Sequence, residues 1–254
     1  MTQTVQKQKG GKGVQGQRRV VLVTGNKGGT GKSTFTRGLR DVLDFRGIEC
    51  GAYDCDRDNA QLYRFYQGVG SGVDRVDIFA RGGADVLIDD LEEAGAAVML
   101  VDLPAGSGRA LEDFEREVGF VGVARELGYS VTLVSVLSRI KDSVNALRLL
   151  MEGFGQGVDY VAVKNLFFGS GEKFSLFENS KVRQRLAELG GVVIEMPDLF
   201  DDTFDLIDQG NLTFRGAAME GSPLKRSHRS RVYQWLKGFE GEVDRAGKVL
   251  GVKQ

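Results

Sequence analysis

The residues Asn26-Lys27-Gly28-Gly29-Thr30-Gly31-Lys32-Ser33-Thr34 have the types and the spacing needed to hold a polyphosphate. Gly28, Gly29 and Gly31 free the backbone to turn its N–H groups inward and approach anionic oxygens closely. Lys32 reaches the β- and γ-phosphates in such a loop, the Ser33 hydroxyl ligates Mg²⁺, and Thr30 and Thr34 complete the cradle. Two carboxylate groups stand at the ends of apolar runs further on. Ala52-Tyr53-Asp54-Cys55-Asp56 closes one run, and Val98-Met99-Leu100-Val101-Asp102 closes another. A carboxylate buried there without a cation would be costly.

These groups need a scaffold, and the pattern supplies one. Arg19–Thr24 is a short apolar run that suits a strand buried on both faces, and from Lys32 the residues Phe35, Leu39, Val42 and Leu43 recur at helical spacing. The glycine loop therefore joins a strand to the start of a helix, where the positive end of the helix favours phosphate. Further β-rich runs follow at Cys50–Asp54, Ala97–Leu103, Val131–Leu137, Tyr160–Asn165 and Val192–Met196. Helical stretches separate them near Ala110–Leu127, Asp142–Met151 and Ser180–Leu189. This alternation predicts an α/β fold, a mostly parallel sheet with helices on both faces.

Composition removes several chemistries. The chain has 254 residues and a net charge of −1, with Gly 36 against Pro 3, so its glycines mark turns rather than a collagen or proline-rich pattern. Cys50, Cys55 and His228 are its only cysteines and histidine, which excludes a disulfide framework, a Cys/His zinc site and His-based hydrolase chemistry. No apolar stretch is long enough to span a bilayer and no signal-peptide core opens the chain, so a cytoplasmic protein is expected. Residues 1–18 read as a disordered basic arm and 19–254 as one domain. The KGGKG within the arm has no preceding strand and no following Ser or Thr, which makes it a decoy. Basic residues gather again at Lys225, Arg226, Arg229, Arg231 and Lys237, with no carboxylate between Gly221 and Phe239, and could contact a polyanion.

The loop departs from the general G-x-x-x-x-G-K-[ST] pattern: Asn26 stands where the first glycine belongs and Lys27 follows it. K-G-G-x-G-K-[ST] resembles the deviant Walker A motif of the ParA/MinD superfamily of dimeric P-loop ATPases. The resemblance covers about residues 19–200. It implies a three-layer P-loop NTPase fold, ATP with Mg²⁺, and an ATP-dependent sandwich homodimer in which Lys27 reaches the partner's phosphates. It also implies that Asp56 orients the attacking water. Arg57-Asp58 replaces the family's Pro-Gln, which leaves Asp58 as a rival. Asp102 in D-L-P-A-G resembles the carboxylate that holds a Mg²⁺-bound water. Asn165 resembles the residue that hydrogen-bonds the adenine edge, and Met196-Pro197 the turn that closes over the base. The guanine-reading T/N-K-x-D signature is missing, which favours ATP over GTP.

Members of the superfamily act on DNA, membranes, metal clusters and proteins. Cys50 and Cys55 match neither cluster carriers nor arsenite pumps. Val232, Trp235, Leu236, Phe239 and Val243 recur at helical spacing, but Glu240, Glu242 and Asp244 interrupt the cationic face that a lipid-binding tail needs, so this helix is expected to dock on the body. The expectation is a ParA-like ATPase that binds nonspecific DNA as an ATP dimer through Lys225, Arg226, Arg229, Arg231 and Lys237. It would be nucleoid-associated, released by hydrolysis that a protein partner stimulates, and active in partition or cargo positioning. The alternatives are a conjugation or secretion accessory ATPase working through protein partners, and a metabolic ligase of the dethiobiotin synthetase type.

Overall fold

The computed structural model describes residues 18–25, 27–93 and 95–252. In chain order the elements are β1 (Arg18–Thr24), α1 (Lys32–Phe45), β2 (Cys50–Asp54), α2 (Gln61–Tyr66), β3 (Asp74–Arg75) and α3 (Asp85–Glu93). Then come β4 (Val98–Asp102), α4 (Gly108–Val118), α5 (Phe120–Glu126), β5 (Tyr129–Leu137), α6 (Lys141–Phe154) and β6 (Asp159–Asn165). The last are α7 (Ser175–Glu178), α8 (Lys181–Glu188), β7 (Val192–Met196), α9 (Asp201–Gln209), α10 (Phe214–Ala218) and α11 (Arg226–Ala246).

The seven strands form one parallel sheet in the order β3-β2-β4-β1-β5-β6-β7. Alternate residues of β1 enter different cores: Val21 and Val23 pack with Phe35, Leu39, Trp235 and Phe239 on one face, Val20 and Leu22 with Leu111, Phe120 and Leu147 on the other. Burial on both faces explains why β1 reads as an unbroken apolar run. From β1 the chain first builds toward β2 and later returns to β5 on the other side. The carboxyl end of β1 is thus a topological switch point, where open parallel sheets bind ligands.

Three details differ from the sequence reading. Arg18, read as the last residue of the arm, is the first of β1, its guanidinium 4.4 Å from the Tyr129 ring centroid and bonded to the Leu127 carbonyl at 2.5 Å. The remainder of the arm lies outside the described residues. The single helix expected over Ala110–Leu127 is two, because Gly119 adopts φ 65° and ends α4. The stretch 61–83 holds α2 and the two-residue edge strand β3. The tail helix docks as its spacing implied: Trp235 stacks on Phe239 at 5.0 Å, and Phe239 meets Phe35 of α1 at 5.5 Å. Among the described residues no helix is long and apolar enough to cross a membrane.

Candidate functional site

Between β1 and α1 the loop turns on Gly29 (φ 77°) and Gly31 (φ 95°), a left-handed backbone that side chains strain. Gly31 is also crowded, since a Cβ there would overlap the Asn165 side-chain amide and reach Met196 Cε at 3.0 Å. Lys32 opens α1 and is buried. Burial lowers its pKa, and Asp102 and then Asp56 partly oppose that shift. A lysine held dry at the amino end of a helix is arranged to meet an anion.

The parallel register gathers the carboxylates beside it. Val23 pairs with Asp102 across β1 and β4, and Asp54 with Asp102 across β2 and β4. Asp54 is structural: Oδ1 accepts the Asp56 N–H at 3.0 Å and Oδ2 the Tyr63 N–H at 3.0 Å. Asp56 follows, its Oδ1 accepting the N–H groups of Asp58 (3.1 Å) and Asn59 (3.0 Å). Asp58 is exposed and Asp56 only partly so.

Asp102 is fully buried, and its pKa is pushed up to about 7 by burial and then by Asp54, with Ser33, Lys32 and Thr36 opposing. Thr36 Oγ1 donates to Asp102 Oδ1 at 3.1 Å, while Oδ2 is buried with no hydrogen-bond partner. An orphaned carboxylate oxygen next to the loop serine fits a divalent cation or its water. No cluster of three His, Cys, Asp or Glu ligands occurs among the described residues. Such an ion would therefore rely on Ser33, Asp102, water and phosphate oxygens, the oxygen-rich and water-rich set that Mg²⁺ prefers.

On the other side of the loop a cleft of about 560 Å³ is lined by Gly29, Gly31, Thr34, Asn165, Phe167, Met196, Pro197, three carboxylates of the 198–205 segment, Phe204 and Trp235. Asn165 and Pro197 thus share one wall system with the loop. Asn165 is engaged more closely with the protein than its strand-end position implied: Nδ2 donates to the Thr30 carbonyl at 2.9 Å and Oδ1 accepts the Phe167 N–H at 3.1 Å. Trp235 Nε1 donates to the Pro197 carbonyl at 2.8 Å and fixes that turn. Lys27 stands apart from this interior. It is exposed and pairs with Asp142 at the start of α6, Nζ to Oδ2 2.6 Å.

Sequence reasoning missed Thr36, Asp142 and Trp235. Thr36 had a signal, since it lies one helical turn after Lys32 and so on the same face of α1. Trp235 was read only as part of the docking stripe of the tail helix, and Asp142 had no signal, being brought in only by the tertiary fold.

The basic residues near the carboxyl terminus lie on or next to α11 but not in one stripe. Lys225, Arg226, Arg231 and Lys237 are exposed. Arg229 reaches the Met219 carbonyl at 3.4 Å, and the Arg231 guanidinium lies 4.7 Å from the Phe200 ring centroid, on the side of α9. Cys50 and Cys55 are buried free thiols, and burial pushes Cys50 up to about 12, which leaves it inert.

No protein-family model matches the sequence. The protein MobD of Acidithiobacillus ferrooxidans is 24% identical over 216 residues, 85% of this chain and 92% of MobD. The septum site-determining protein MinD of Pyrococcus horikoshii, solved with Mg-ADP, superposes with a TM-score of 0.50 at 18% identity, covering 91% of this chain and 98% of that one. A putative plasmid partition protein of Borrelia burgdorferi bound to AMPPNP gives 0.53 at 14% identity, covering 88% and 99%.

Proposed function

The fold is that of the ParA/MinD P-loop ATPases, and from that premise we propose that this protein is an ATPase of the partition and positioning type. ATP and Mg²⁺ bind at the carboxyl ends of β1, β2 and β4. The observation that carries the reading is the buried Lys32 beside the orphaned Asp102 oxygen, at the foot of a loop whose glycines adopt φ 77° and 95°. Backbone N–H groups of the loop and the start of α1 hold the phosphates, Lys32 neutralises the β- and γ-oxygens, and Asn165 and Pro197 border the base. Ser33 directly, and Asp102 through a bound water, would hold Mg²⁺, which would neutralise charge developing on the phosphates. Asp56 positions water.

The protein works as an ATP-dependent homodimer. Lys27 is exposed at the loop and exchanges Asp142 for the partner subunit's phosphates, supplying a second cation where charge develops. Exposed Ile140 and Leu149, the residue before α6 and one within it, lie near Asp142 in sequence and supply apolar area for the contact. The dimer binds nonspecific DNA through Lys225, Arg226, Arg229, Arg231 and Lys237, and hydrolysis stimulated by a protein partner releases it. A second reading has the same surface dock a protein, because Phe200, Met219 and Tyr233 are exposed among the basic residues. Retention on duplex DNA with ATP, ADP and no nucleotide, over a salt series, tests the choice. Binding only with ATP and falling steeply with salt is expected. Absence of binding in every nucleotide state overturns the DNA surface and leaves the protein-docking reading.

A further inference from the structure

The segment after Asp56 looks featureless in sequence, yet it is tied to a distant part of the chain. Arg64 of α2 donates from Nε to Asn211 Oδ1 at 2.6 Å, from Nη2 to the Asp208 carbonyl at 2.7 Å, and from Nη1 to the Asp208 carboxylate at 3.2 Å. Both side chains of the Arg64–Asp208 pair are 40% exposed, and exposed pairs add little to stability. The geometry is nevertheless specific. Asn211 takes a positive φ (48°) as the residue that terminates α9, its N–H donating to the Asp208 carbonyl at 3.2 Å and the Leu212 N–H to the Ile207 carbonyl at 3.1 Å, so a bonded turn presents its side chain to Arg64.

Both ends of this contact lead to the nucleotide site. Toward the hydrolytic side, the Tyr63 N–H of α2 holds Asp54 Oδ2 at 3.0 Å, and the turn capped by Asp56 runs into α2 through Gln61 N–H to Asn59 O at 2.7 Å. Toward the base side, Asp208 lies on α9, whose Asp201, Phe204 and Asp205 line the cleft. The phosphate helix grips the same turn: Arg37 of α1 is buried between the rings of Phe65 (3.4 Å) and Phe214 (4.6 Å) and donates to the Leu212 carbonyl at 3.3 Å.

We propose that Arg64 is a positioning residue for hydrolysis, joining α2 to the turn after α9 so that a base seated in the cleft fixes where Asp56 stands. The inference rests on the ATPase reading above. Its test compares the whole chain with its Arg64→Ala and Arg64→Lys variants in steady-state hydrolysis of ATP and of tripolyphosphate, which lacks a base, together with thermal melting. Arg64→Ala is expected to lower kcat for ATP about tenfold, with KM for ATP within about twofold and an unchanged melting temperature. Its kcat for tripolyphosphate stays near that of the wild type, and Arg64→Lys falls between, because an ammonium cannot reproduce the fork. Equal kcat values for ATP in wild type and Arg64→Ala overturn the proposal. So does an equal fall in kcat for tripolyphosphate, or a fall in kcat accompanied by a raised KM and a lowered melting temperature, which a merely structural role would give. A wild type that neither binds nor hydrolyses ATP removes the ATPase reading itself, and the positioning role with it.

Discussion

The carboxyl ends of β1, β2 and β4 and the amino end of α11 are both built from charged residues, in opposite ways. At the sheet, Lys32, Asp54 and Asp102 are buried, and the strand register brings Asp54 and Asp102 side by side. Burial pushes Asp102 up and Lys32 down, and a bound group of opposite charge would favour the charged form of each. At α11, Lys225 and Arg226 sit at the positive end of a 21-residue helix with no acidic residue in its first turn. They are exposed, with no side-chain hydrogen bond or ion pair to another of the described residues. The first region can recognise shape and charge together, and the second charge alone.

The largest test of that contrast is Lys32→Ala. Affinity for a fluorescent ATP analogue should fall on the order of 1,000-fold, because a desolvated charge-assisted contact is lost. The melting temperature of the nucleotide-free protein should hold or rise, since removing a buried cation relieves its desolvation. Unchanged affinity in equilibrium titration would sink the phosphate-loop assignment. Joint neutralisation of Lys225, Arg226, Arg229 and Arg231 to Ala should instead leave ATP affinity alone. It should weaken retention on duplex DNA on the order of 100-fold near 0.1 M salt and flatten the salt slope. Arg229 and Arg231, held by Met219 and Phe200, should contribute less than Lys225 and Arg226 when changed singly.

Lys27 belongs to neither region. It shares the loop with Lys32 but is exposed and paired with an exposed carboxylate. Lys27→Ala should raise the protein concentration for half-dimerisation in ATP by about tenfold or more while sparing ATP binding by the monomer. Asp142→Asn should favour the dimer by roughly twofold to threefold, because an exposed pair competes only weakly. Light scattering that finds the Lys27→Ala dimer intact would refute a role across the interface.

What could be read from the sequence follows the same division between local and distant contacts. The phosphate loop is local, and its strand and helix flanks were legible because β1 is apolar on both faces and α1 on one. The β3 edge strand left no trace: Asp74 and Arg75 are exposed, with no apolar residue to mark a face. The break at Gly119 was hidden because helical periodicity continues on both sides of one glycine. Asn165 was found as a strand-end residue, but its bond to the Thr30 carbonyl spans 135 positions and no spacing announces it. Arg64 and Asp208, 144 apart, were invisible for the same reason.

The one effect that passes through no ligand or partner comes from a buried carboxylate distant from the phosphate loop. Asp41 of α1 accepts the Arg215 N–H at 2.8 Å, with Tyr66, Arg215 and Arg37 around it, yet burial outweighs them and lifts its pKa to about 6. Between the ordinary carboxylate value of 3.8 and about 6, the folded chain keeps the proton that the unfolded chain has released. The unfolded state therefore binds fewer protons, and stability falls as pH rises through that window and is level above it. This component is about 3 kcal/mol in full, of which about 2 kcal/mol is lost between pH 4.5 and 6. Asp41→Asn keeps an acceptor for Arg215 and cannot ionise, so its melting curve should lack the component. The wild type should lose roughly 5 °C relative to the variant between pH 4.5 and 6.5. Parallel curves would mean that Asp41 stays ionised, and that Arg37 and Arg215 rather than burial set the balance at this end of the phosphate helix.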